Sequence, residues 1–93
     1  MSQRVLIQAI NPDAKGDESS SAYKIREVEI LPKPGNTFSF RDQGISGDVN
    51  AEEVTPPHGS NLAIIVIHVT KERLAFMINQ GSWAVTEPAH SQN

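Results

Sequence analysis

The chain contains no cysteine. That excludes a disulfide framework, a thiolate nucleophile and any cysteine-ligated metal, and it suits a reducing compartment such as the cytosol. Aromatic residues are almost as scarce: three phenylalanines, one tyrosine and one tryptophan in 93 residues. Aliphatic and β-branched side chains must therefore carry the packing. Long apolar runs are missing as well. The most apolar stretch, LAIIVIHV at 62–69, is less than half the roughly 20 residues that a membrane-spanning helix needs. The apolar part of the opening MSQRVLIQAI is too short for the hydrophobic region of a secretory signal. The expectation is a cytoplasmic protein with no membrane partner.

Positive charge is also thin. No lysine or arginine falls between Asp42 and Thr70, where Asp48, Glu52 and Glu53 do, and the formal net charge is −3. This opposes the basic footprint of a protein that grips nucleic acid through its phosphates.

What is present reads as one β-rich domain over 1–87, with 88–93 as a disordered tail. RVLIQAI is apolar on both of its alternating faces, as in a strand covered on two sides. Asn11-Pro12-Asp13 ends it, and 11–22 holds nothing larger than alanine to bury, which predicts a flexible loop. In YKIREVEIL the pattern slips: Tyr23 and Ile25 share one face, Val28 and Ile30 the other. A β-bulge between Arg26 and Glu27 would restore both pairs to one side. Lys33-Pro34-Gly35-Asn36 predicts a type II turn, followed by a strand with Phe38 and Phe40 on one face. A glycine-broken stretch then leads to a strand with Val49 and Ala51 on one side, and TPPHGSN forces a connection before the run at 62–69.

That run is expected to form the central strand. Thr70 is a suitable N-cap, Leu74, Met77 and Ile78 recur at helical spacing, and Gly81 stands where a C′ glycine belongs, which predicts a helix over 71–80. A hairpin into a strand at 74–78 is the competing reading of the same residues. SWAVTE closes the fold as a strand with Trp83 and Val85 on one face. The fold class expected is mainly β, with α+β as the variant: a small twisted antiparallel sheet, or a partly open barrel of five to six strands with one short helix near 71–80. The order of turns and strands resembles small SH3-like barrels, an analogy of fold that implies no function.

Chemistry is sparse. His68 shares a strand face with Leu62, Ile64 and Val66, which predicts a buried structural imidazole held by one hydrogen bond. The three histidines, His58, His68 and His90, have no ligand-like spacing, so no metal and no cofactor are expected. GISGD at 44–48 has Asp48 where a nucleophile elbow needs glycine. KGDES at 15–19 lacks the glycine spacing and the lysine–hydroxyl pair of a phosphate loop. Phe38 and Phe40 beside Arg41 could stack bases, but in so aromatic-poor a chain the core has first claim on them.

The function expected is that of a non-enzymatic interaction module, a small accessory or regulatory protein that binds another protein. One alternative is a small nucleic-acid-binding barrel using Lys24, Arg26 and Arg41. Another is a small enzyme whose site forms only in three dimensions, with Ser46, Asp48 and His58 as participants. Partner contacts are expected on the charged first-half hairpin, at Lys24, Arg26, Glu27, Glu29 and Arg41, within a region spanning 15–41. The acidic segment 42–53 is the second candidate, and self-association through a sheet edge is an open possibility.

Overall fold

Residues 4–10 alternate two apolar sets, which suits a strand with neighbours on both sides. In the computed structural model, which describes residues 3–16, 20–39 and 48–88, that strand is β1 (Gln3–Ile10). It pairs antiparallel with β2 (Ser21–Val28) and parallel with β6 (Ala63–His68). β5 (Glu53–Thr55) adds antiparallel to β6, so the sheet order is β2-β1-β6-β5. β3 (Thr37–Ser39) and β4 (Asp48–Asn50) form a separate two-stranded ladder, and α1 (Lys71–Gln80) follows β6. The mainly β fold matches the expectation, as do the six strands and one helix among the described residues. The sheet is mixed, however, because its central pair is parallel, in register from Val5↔Ala63 to Ile10↔His68.

The parallel centre explains the two apolar sets. Val5, Ile7 and Ala9 share a face with Ala63, Ile65 and Ile67, and onto this face pack Leu74 and Met77 of α1, Trp83, Phe38 and Ala51. On the reverse face Leu6 and Val66 are buried, while Gln8, Tyr23, Ile25 and Ile64 are half-buried. Gln8 Nε2 donates to the Tyr23 hydroxyl across that face at 3.3 Å.

Turns form where the residues dictate. Asn36 N–H donates to Lys33 C=O at 3.0 Å and Gly35 sits at φ +87°, the left-handed position of the predicted type II turn. Asn11, the buried polar residue at the end of β1, is satisfied three ways. Its Oδ1 accepts from Asp13 N–H at 3.1 Å, its C=O accepts from Ala14 N–H at 3.2 Å, and its N–H donates to Ser20 C=O at 2.9 Å. Residues 17–19 of the predicted loop lie outside the described residues, and β2 already starts at Ser21.

At the start of α1, Thr70 Oγ1 accepts from Arg73 N–H at 3.2 Å, the expected cap. The end differs from expectation. Gly81 has φ −100°, and Ser82 takes the left-handed position at φ +64°. Glycine suits 81 for a steric reason: a Cβ there would crowd Met77 O at 3.0 Å and Trp83 Cδ1 at 3.1 Å, and the turn would have to shift by a few tenths of an ångström. Trp83 N–H then returns to Met77 C=O at 3.2 Å, and its ring enters the core.

Three further expectations are corrected. The β1–β2 register is unbroken from Gln3↔Val28 to Ile10↔Ser21, so there is no bulge at Arg26; β2 stops at Val28, and Ile30 lies beyond it, 79% exposed. SWAVTE is not a strand, because the turn at Ser82 leaves a single bridge between Ala84 and Tyr23, and Val85 is exposed. His68 keeps the predicted face but ends β6 at the sheet margin, where it is exposed instead of buried.

Ile65 is fully buried between Ile7 and Val54. Ile65→Asp should cost on the order of 4 kcal/mol or more, comparable with the whole stability of a domain this small. Thermal denaturation followed by circular dichroism checks it; a melting point within a few degrees of wild type would contradict the central placement of β6.

Candidate functional site

The Pro-Gly turn has a consequence for the surface. Gly35 N–H donates to Ala51 C=O at 2.7 Å and Ala51 N–H donates to Asn36 C=O at 2.9 Å, which ties the turn to a fully buried alanine. The chain from the end of β2 to β3 is held open between these anchors. Val28, Leu31 and Phe38 are buried or half-buried there, and Ile30 projects into solvent. Together with Pro32 they line a mostly apolar groove of about 550 Å³, with Glu29 and Lys33 at its rim.

An exposed isoleucine forgoes about 1.5–3 kcal/mol that burial would provide. A single exposed aliphatic residue means little, but one standing over a concave apolar wall is the usual form of a docking surface. Sequence reasoning missed Ile30 because the assumed bulge kept it in the strand, on one side with Tyr23, Ile25 and Val28. The signal available was its position just before Leu31-Pro32, since proline cannot donate to a ladder and commonly ends a strand.

The five residues expected to meet a partner are divided by the strand alternation. Lys24 and Arg26 share the face of Ala22 and Val28, under α1, and both are half-buried. Glu27 faces the other way, opposite Arg4 on β1, and is exposed; Glu29, past the strand end, is exposed at the groove rim. Arg41 lies outside the described residues, as do Phe40 and Ser46.

Lys24 has a structural task. Its Nζ donates to Gly81 C=O at 2.7 Å and lies 6.0 Å from the centre of the Trp83 ring. A cation thus meets the negative end of α1, while the lysine stem lies across apolar surface. Of the residues of the enzyme reading, Ser46 lies outside the described residues and Asp48 begins β4. His58 is an exposed turn residue whose C=O accepts from Asn61 N–H at 2.9 Å, and His68 ends the central strand. Among the described residues, no three of His, Asp and Glu come together in a way that could hold a metal ion. Nor is any described helix long and apolar enough to cross a membrane.

No protein-family model, curated protein or solved structure shows a significant match to this chain. Its surface chemistry therefore has to carry the functional reading.

Lys24→Met keeps the apolar stem but removes the charged donor from Gly81. It should lower stability by about 1–2 kcal/mol, which for a domain of this size is a fall of roughly 4–8 °C in melting temperature per kcal/mol. An unchanged melting curve would show that the contact does not hold α1 to β2.

Proposed function

We propose that this protein is a non-enzymatic interaction module of the cytoplasm, a small accessory or regulatory protein that acts by binding another protein at the groove between the end of β2 and β3. The observation that carries the reading is Ile30, 79% exposed beside the apolar wall of Val28, Leu31 and Phe38. The groove falls inside the 15–41 region that the charge pattern favours for partner contacts. The cysteine-free composition suits a reducing compartment.

Ile30→Asp puts a charge into the groove without touching a buried position, so the fold should be preserved. Pull-down with the wild-type chain, identification of the captured protein and hydrogen exchange on the reconstituted pair should show protection within 15–41. Capture should fall at least tenfold with Ile30→Asp, the equivalent of about 1.4 kcal/mol. Protection confined to 58–87, or capture indifferent to Ile30→Asp, would overturn the reading.

Nucleic-acid binding is expected to be weak near physiological salt. The net charge is −3, and Lys24, which a basic strip would need, is directed at Gly81. Fluorescence anisotropy with single-stranded and duplex oligonucleotides checks this. Sub-micromolar, salt-sensitive affinity lost in Arg26→Glu would favour a nucleic-acid-binding barrel instead.

A further inference from the structure

The segment from the end of β2 to the Pro-Gly turn reads Glu29-Ile30-Leu31-Pro32-Lys33. It carries a protrusion and a recess side by side. Ile30 is 79% exposed, and Leu31 and Pro32, with the buried Val28 and Phe38, form the apolar wall next to it. An acid precedes this apolar stretch and a base follows it. Glu29 and Lys33 are both exposed at the groove rim, and neither meets an opposite charge among the described residues.

A surface that holds a knob next to a hole can be complementary to itself. In a two-fold contact, residue i of one copy meets residue j of the other and the reverse, so each Ile30 can enter the groove of the other copy. The charges agree with this arrangement. A two-fold axis at Leu31, midway along the segment, exchanges its two ends, and Glu29 of each copy then faces Lys33 of the other. Both charged contacts are attractive, and the apolar residues between them meet one another. A foreign occupant would have to supply this pattern, whereas the chain itself already carries it.

We propose that a second copy of this chain docks at the groove as a two-fold dimer, with Ile30 of each copy in the groove of the other and Glu29 of each opposite Lys33 of the other. The proposal rests on the docking reading above, since it uses the same face, and it makes self-association compete with capture of another protein. Ten residues line the groove, against roughly 20–30 on each side of a standard interface. The dimer is therefore weak, with a dissociation constant on the order of 0.1 mM. A partner with a larger contact surface can displace it.

Sedimentation equilibrium of the full chain, from about 10 µM to about 1 mM, tests the proposal. The wild type should pass from monomer to dimer across that range, and Ile30→Asp should weaken the dimer at least tenfold. Glu29→Lys and Lys33→Glu, each alone, oppose like charges at both contacts, and each should weaken it roughly tenfold. An equimolar mixture of these two variants opposes unlike charges at both contacts and should associate about as well as the wild type. Both side chains are exposed, and the turn uses only the C=O of Lys33, so the variants should keep the fold. Circular dichroism confirms it for each.

A wild-type chain that stays monomeric throughout, with capture of another protein still lost in Ile30→Asp, would overturn the dimer and leave the docking reading intact. A dimer indifferent to Ile30→Asp, or charge variants whose mixture associates no better than each alone, would overturn the two-fold geometry. A dimer that responds to all three variants as expected, with capture indifferent to Ile30→Asp, would uphold the dimer and overturn the docking reading.

Discussion

The parallel pairing of β1 with β6 is the constraint on which the rest of the structure depends. A parallel pair cannot be joined by a tight turn, so the chain between the two strands must leave the sheet and return. It does so through β2, the separate β3–β4 ladder and β5, and of these β2 and β5 become the flanks of the sheet. A parallel pair is also stable chiefly when apolar on both faces. Leu6 and Val66 serve one side, and Val5, Ile7, Ile65 and Ile67 serve the other. With so few aromatics, this aliphatic centre is the main source of burial, and α1, Trp83 and Phe38 close it from one side.

The C-terminal segment translates that core into a surface. Gly81 lets the chain pass close to Met77, Ser82 reverses it, Trp83 fills the core and Ala84 pairs with Tyr23. Lys24 secures the same corner through Gly81. One half of the β2 edge is thereby covered. Beyond Tyr23 no described residue pairs with that edge, which runs toward the apolar groove. The same strand thus secures the helix and borders the groove, with Lys24 turned to Gly81, Val28 buried in the core and Glu27 exposed on the opposite face.

Much of the fold was visible before any coordinates. Thr70 and the spacing of Leu74 and Met77 mark α1, the apolar run at 62–69 marks the central strand, and Lys33-Pro34-Gly35-Asn36 marks its turn, because each signal is local and reinforced by its neighbours. The errors arose where a residue's environment is set from elsewhere in the chain. The bulge assumed between Arg26 and Glu27 put Val28 and Ile30 on one side with Tyr23 and Ile25, whereas Val28 belongs to the core and Ile30 to the surface. Lys24 read as a solvated charge because its acceptor lies 57 positions away in sequence. His68 was assigned to the core by its face, but being at the end of the strand overrides the face.

By itself the sequence determined the class of fold, the position of the central strand and the absence of cysteine chemistry, and it favoured the helix over the competing hairpin. All of these follow from composition, periodicity and capping within a few residues. The tertiary structure decided that the central strands run parallel, that the chain after the helix returns to cap the edge of β2, and that Ile30 stands over a groove. Each of these depends on which distant segments meet. Strand direction and edge exposure arise from chain crossings over tens of residues, and local patterns of side-chain polarity do not encode them.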